Sequence, residues 1–366
     1  MESKKPTTPP IATQPPSTHQ PSSRERESTP IESAADLAAA VDMVRLAGDY
    51  SHPPRRRRIL LPILLFAATC ASTFWTGAVE WNPLEHIDGA QRAIATLQAH
   101  WGEETFGAVW SQVSDSLLHD WRQGLIYMGA VLGILLTHEM GHFLLALRNR
   151  IPASLPYFIP VPILPFGTMG AVIGMQGSKA DRRQLFDLGV AGPLAGLAVA
   201  MPLIWIGILQ LDATVRPNTA GMPYPSPLIF RILIDVLRPD FATPGCLYAN
   251  QFNPLLMAGW VGMLVTGLNT LPISQLDGGH VGYALLGRRF NPFARALLVA
   301  VILFVVILAQ YVWVLMLVLV ILIGVDHPPT ADDRVRLGWC RRTIGWAAMT
   351  IPILCIPPMR IGEVTW

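Results

Sequence analysis

Charge is what this chain has least of. Only 14% of its 366 residues are Asp, Glu, Lys or Arg, against about 25% in an ordinary soluble domain, while 51% are hydrophobic. Such a chain cannot cover itself with polar surface. The formal net charge of +2 and the lack of any Lys- or Arg-rich stripe with interleaved aromatics exclude a nucleic-acid partner. Cysteine is scarce as well. Cys70, Cys246, Cys340 and Cys355 make neither a CxxC pair nor a disulfide framework. Nor is there an apolar run at the start. The first 54 residues are polar, so no cleavable signal peptide is expected, and the first apolar run, after Arg58, is expected to stay as a membrane anchor.

Residues 1–30 are crowded with Pro, Ser, Thr and Gln, a composition that buries too little apolar surface to offset ordering entropy. A disordered tail over 1–54 follows, in which Ile31–Gly48 reads equally as an amphipathic helix or a solvated linker. Spans of about 20 apolar residues occur at 59–79, 124–147, 188–211 and 255–276. As one helix, 293–325 would run about 48 Å, well past a hydrocarbon core of about 30 Å, so a turn near Gln310 is expected to divide it. Thr343–Met359, broken by Pro352 and Pro357, is the weakest candidate. Six or seven spans result, in an all-α polytopic membrane protein. Arginines beside span ends (Arg55–Arg58, Arg148, Arg150, Arg182, Arg183, Arg288, Arg289) put the N-terminus on the cytoplasmic side. Arg216, Arg231 and Arg238 in the outer loop fit that orientation least.

His138-Glu139-Met140-Gly141-His142 sets two histidines one helical turn apart, on one face, where both can bind one zinc ion, with Glu139 as general base. Ionisable groups inside a span are costly, so three within five residues of an apolar helix mark a site. A catalytic zinc takes a third protein ligand. Asp277 is the leading candidate, because Pro272, Gly278 and Gly279 interrupt an apolar run around it, and broken helices at membrane depth occur where they are buried or line a wet cavity. Asp187 and His280 compete for the role, although a helix cap or a hydrogen bond to residues 154–178 is the expectation for Asp187, and a supporting place beside the ligands or in the structure for His280. Residues 154–178, rich in Pro and Gly yet apolar, read as a re-entrant hairpin whose edge can pair with an extended peptide, or else as an interfacial loop.

Together, His138-Glu139-Met140-Gly141-His142 and Asn269-Thr270-Leu271-Pro272-Ile273-Ser274-Gln275-Leu276-Asp277-Gly278-Gly279-His280 resemble the site-2 protease family of intramembrane zinc metalloproteases. Between them, Leu155–Pro160, Gly167-Thr168-Met169-Gly170-Ala171, Asp181–Asp187 and Ala191-Gly192-Pro193-Leu194-Ala195-Gly196 resemble its bacterial and plastid branch. The resemblance covers about residues 124–330. It implies zinc held by His138, His142 and Asp277, Glu139 as base, and hydrolysis of peptide bonds in transmembrane proteins near the cytoplasmic side, in regulated proteolysis. Asn269, Gly170 and Ala171 are expected to contact substrate or the developing oxyanion, with tying down the helix break an equal alternative for Asn269. The outer segment of about forty residues is too short for a PDZ domain, and no CBS domain is expected. Many relatives carry His-Pro where this chain has Asn253-Pro254, so no metal chemistry is expected there.

The expected organisation is a tail at 1–54, a first transmembrane helix and external amphipathic segment at 55–123, a catalytic membrane core at 124–290 and C-terminal transmembrane helices at 291–366. Partners are transmembrane substrates and the lipid bilayer, with oligomeric state open. A bacterial inner membrane is the first expectation and a plastid membrane the second. Two other classes compete: an inactive family member that binds membrane helices, and a metal-ion transporter, which has no need of a glutamate between its histidines.

Overall fold

A computed structural model describes residues 59–81, 120–219, 223–241, 245–273, 275–307 and 314–357. The tail at 1–54, the Ile31–Gly48 helix, Arg55–Arg58, most of the external amphipathic segment and the turn at Gln310 lie outside the described residues. In chain order the elements are α1 (Leu60–Ala78), α2 (Trp121–Arg148), β1 (Tyr157–Pro160), β2 (Thr168–Val172), α3 (Arg182–Leu209), β3 (Pro223–Pro225), α4 (Leu228–Leu237), β4 (Cys246–Tyr248), α5 (Pro254–Asn269), α6 (Asp277–Leu286), α7 (Phe290–Ile307), α8 (Val314–Ile323), α9 (Trp339–Ala348) and α10 (Ile351–Cys355).

The chain is a mostly helical integral membrane protein. Among the described residues four stretches are long and apolar enough to cross a bilayer: Leu60–Ala78, Trp121–Arg148, Arg182–Leu209 and Asp277–Ile307, the last joining α6 to α7. Pro254–Asn269 is apolar but shorter. Large apolar side chains such as Leu60, Leu64, Leu144, Trp205, Leu303 and Ile307 are exposed, as lipid-facing residues must be where no water is present to be avoided.

Two expected spans take a different form. The apolar run 255–276 is not one helix: α5 stops at Asn269 and α6 begins anew at Asp277. Pro272 explains the stop, because its ring disfavours helical backbone at Leu271. Asp277 therefore opens a helix and does not close one. The Thr343–Met359 run forms two short helices, α9 and α10, neither of spanning length, with Pro352 in the first turn of α10.

The core is built on α2 and α3, which lie against each other, with α5 packed on both, α1 outside α2 and α6 against α3. Close approach needs glycine. A β-carbon on Gly141 of α2 would come within 2.7 Å of the Ala191 carbonyl oxygen on α3, so the two backbones can touch there only without a side chain. The start of α3 is fixed by a capping box: Asp181 Oδ1 accepts from the Arg183 and Gln184 amides, and Gln184 Oε1 accepts from the Asp181 amide, satisfying donors that a helix start leaves open.

The hairpin expected over 154–178 is present. Strands β1 and β2 pair antiparallel with Tyr157 opposite Val172, Phe158 opposite Ala171 and Pro160 opposite Thr168, and Ala153 bridges to Met175 beyond them. Its tip is lodged among helices. The Ser72 hydroxyl of α1 donates to the Gly167 carbonyl at 2.5 Å, the Tyr127 hydroxyl of α2 donates to the Phe166 carbonyl at 2.8 Å, and the Phe166 ring lies 5.5 Å from that of Trp260 on α5. Gly167 has a φ of +73°, and a β-carbon there would meet the α1 backbone at 2.8 Å, so only glycine fits this corner.

Candidate active site

Helix α2 carries His138, Glu139 and His142, and all three side chains are buried. The i, i+4 spacing puts both imidazoles on one side, and Glu139, three residues before His142, falls beside them. The α5–α6 break brings Asp277 to the same point. Its Oδ2 lies 3.1 Å from His138 Nε2 and its Oδ1 lies 3.2 Å from His142 Nε2. One ligand atom from each of the three residues falls within 4.8 Å of the others. As the first residue of α6, the Asp277 carboxylate also sits at the favourable end of that helix dipole.

The donor chemistry fits a metal cation. His142 Nδ1 lies 2.9 Å from the Leu188 carbonyl oxygen. A carbonyl only accepts, so Nδ1 carries the proton, and in the neutral ring Nε2 presents a lone pair. That lone pair faces a carboxylate oxygen at 3.2 Å. Two acceptors at this distance repel unless positive charge, a proton or a metal ion, stands between them. The Leu188 carbonyl thus supplies the orienting bond that metal-bound histidines generally have.

Glycines of α3 make room for the imidazoles. A β-carbon on Gly192 would fall on the His142 ring, and one on Gly196 would come within 3.1 Å of His138 Nδ1. The two glycines are four residues apart, matching the spacing of the two histidines on the facing helix. Gly189, one turn earlier, lets α6 approach: a β-carbon there would lie 2.9 Å from both the Asp277 carbonyl oxygen and His280 Cβ. This spacing in Gly189-Val190-Ala191-Gly192-Pro193-Leu194-Ala195-Gly196 is a sequence signal that motif reading alone passed over.

The other candidates lie elsewhere. Asp187 is held by Arg341 of α9, with bonds of 2.8 and 2.9 Å to its two oxygens, and neither it nor His280 belongs to the three-residue cluster. The cap or hairpin bond expected for Asp187 is therefore replaced by an ion pair, because α9 returns to the start of α3. His280 is buried and bonded to His327 at 2.7 Å. Asn253 caps α5, accepting from the Leu256 amide and donating to the Gly207 carbonyl. Asn269 is the last residue of α5. Gly170, with a φ of +99°, and Ala171 lie on β2, the Gly170 amide donating to Thr168 Oγ1 at 3.1 Å.

The description "Peptidase family M50" matches residues 126–310. The chain is 34% identical over 164 residues to "Probable zinc metalloprotease EGY1, chloroplastic" of Arabidopsis thaliana, covering 43% of this chain and 29% of that protein. It is 36% identical over 166 residues to the protein of the same name from Oryza sativa subsp. japonica, covering 43% and 27%. To "Probable zinc metalloprotease EGY2, chloroplastic" of Arabidopsis thaliana it is 30% identical over 179 residues, covering 47% and 30%. The chain thus spans less than a third of the length of these relatives. No solved structure matches it. Because the family match takes in just over half of the chain and includes the helices that bring His138, Glu139, His142 and Asp277 together, this chain belongs to peptidase family M50.

Proposed function

We propose that the chain is an intramembrane zinc metalloendopeptidase that hydrolyses peptide bonds in transmembrane segments of other proteins. The carrying observation is the meeting of Asp277 with His138 and His142, ligand atoms within 4.8 Å of one another, beside buried Glu139. His138, His142 and Asp277 hold the ion, and zinc supplies Lewis acidity, which acidifies water and polarises a peptide carbonyl. Glu139 takes a proton from the attacking water as its oxygen bonds to the carbonyl carbon. As the carbon–nitrogen bond breaks, Glu139 passes that proton to the leaving amine. Asn269, at the end of α5, donates to the developing oxyanion.

A helical substrate keeps its carbonyls bonded internally and must be opened before it is cut. Strand β2 is the template in this reading: β1 occupies one of its edges, and the other, with Gly170 and Ala171, receives an extended substrate by main-chain pairing. The hairpin's seat against Ser72, Tyr127 and Trp260 supports pairing at membrane depth. Cleavage near the cytoplasmic face, with the N-terminus on that side, rests on the arginine distribution. A role in regulated proteolysis rests on family likeness. Of the two membranes expected, a bacterial inner membrane draws no support from the comparisons, whose named relatives are chloroplastic.

The test is incubation of the purified chain with a membrane-spanning substrate, with and without a zinc chelator. The proposal expects two fragments that disappear with the chelator. Intact substrate under all conditions would favour an inactive binding protein, and zinc flux across vesicles without cleavage would favour a transporter.

A further inference from the structure

We propose that His327, in the loop between α8 and α9, is a positioning residue for the metal site, acting through His280 on the helix that begins at Asp277. The inference rests on the zinc-protease reading above.

The two imidazoles are buried, with relative exposures of 9% for His280 and 3% for His327. His280 Nδ1 lies 2.7 Å from His327 Nε2, and His327 Nδ1 lies 2.6 Å from the Pro328 carbonyl oxygen. The carbonyl can only accept, so His327 Nδ1 bears the proton. In the neutral ring that burial favours, Nε2 accepts, and His280 Nδ1 must donate to it. The bond therefore has one direction, and it fixes the His280 tautomer as well as its ring.

His327 is itself held from several sides. Its ring stacks on Tyr283 with centroids 4.5 Å apart and planes at 23°. Its backbone is gripped by Asn291 of α7, which accepts from the His327 amide and donates to the His327 carbonyl, both at 3.2 Å. Further along the loop, the Tyr283 hydroxyl donates to Asp333 at 3.1 Å, the Ala331 amide donates to the Ala180 carbonyl at 2.9 Å, and Arg183 donates to the Arg336 carbonyl at 2.9 Å. The loop straps α6 to the starts of α3 and α7.

The consequence for the metal site follows from helix geometry. His280 stands three residues after Asp277, so the two share a face of α6, and Gly189 of α3 lies against both. Holding His280 fixes the rotation of α6 about its axis. That rotation decides whether the two Asp277 oxygens reach both His138 and His142, as they do at 3.1 and 3.2 Å. Partners that orient ligands in this way are generally needed for metal affinity and rate.

The experiment uses the full chain in bilayers, with zinc affinity measured by chelator competition, cleavage split into kcat and KM, and thermal unfolding as a check. His327→Phe keeps a ring against Tyr283 but removes the acceptor for His280, and His327→Gln returns an acceptor oxygen. In His327→Phe, zinc affinity and kcat should each fall by about tenfold to a hundredfold, with KM and unfolding temperature little changed, and His327→Gln should recover most of both. Zinc affinity and kcat within twofold of the parent in His327→Phe would overturn the proposal. So would a loss that follows unfolding temperature and is not recovered by His327→Gln, since that is a structural role only. A parent chain that binds no zinc or cuts nothing would instead sink the protease reading, which separates the two failures.

Discussion

Gly192 lies directly beneath His142: a methyl group on its α-carbon would occupy the space of the imidazole ring. The proposed metal site therefore depends on a residue that has no side chain. Gly192→Ala should displace His142 and cost on the order of 1–3 kcal/mol of stability through overpacking, with zinc binding lost. Gly196→Ala, whose added carbon would stop 3.1 Å from His138, should be milder. Zinc content and unfolding of the two variants check the order, and equal zinc binding in both contradicts it.

Asp187 and Asp277 are both aspartates near the start of a helix, yet their variants should differ. Asp277→Asn should lose zinc. Asp187→Asn should keep it and lose only the pair with Arg341, whose side chains are 33% and 39% exposed. A pair so open to solvent contributes at most ~1 kcal/mol. Metal analysis of the two proteins decides, and zinc loss in Asp187→Asn would reverse the assignment.

The loop carrying His327 and Asp333 should loosen with acid in two stages. Burial holds the His327 imidazole below the usual histidine range, although its bond to Pro328 and the charge of Asp333 pull the other way. A folded value below the unfolded one, about 6.5, means that this contribution is complete above that pH and is lost as pH falls below it. Asp333 is also held low: burial alone would raise it, but the bonds from the Thr330 hydroxyl and amide and from the Tyr283 hydroxyl outweigh burial. Its contribution is present above about pH 4 and disappears only beneath that. Amide protection across residues 325–338, taken relative to the intrinsic exchange rate at each pH, should therefore begin to fall as pH drops below about 6.5, before the further fall below about pH 4. Protection unchanged as pH falls from about 6.5 to about 4 contradicts the account.

Proline placed along Ala171–Gln176, other than at Gly174 and Gln176, whose amides already bond to Ser154 Oγ and the Pro152 carbonyl, should weaken substrate cleavage, because such a substitution removes a main-chain donor from the β2 edge or from the segment that follows. A lost main-chain bond is worth roughly 1 kcal/mol, so cleavage efficiency should drop about fivefold for each bond that the substrate makes. Steady-state kinetics with zinc content held equal is the check. Unchanged kinetics across the series would remove the pairing role.

The legible part of this site was the local part. The histidine pair and its glutamate sit within one and a half turns of helix, and the 3.6-residue period orders them without reference to the rest of the chain. The break before Asp277 was announced by Pro272 and the paired glycines. The run 255–276 reads as one span because apolar content continues to Leu276, although Pro272 already disfavours helix at Leu271. Long-range pairs left no such mark. His280 meets His327 across 47 positions and Asp187 meets Arg341 across 154, and nothing local to either partner names the other. The C-terminal apolar run showed its prolines but not the return of α9 to α3, which that ion pair fixes.

The central claim is that Glu139 moves the proton while the two histidines and Asp277 hold the metal. Its most direct test is the cleavage rate of Glu139→Gln on a transmembrane substrate, with zinc at one ion per chain. The account predicts full zinc occupancy and a rate lower by at least about a hundredfold, the lower bound for losing a general base. Cleavage at the parental rate by that zinc-loaded variant would contradict it.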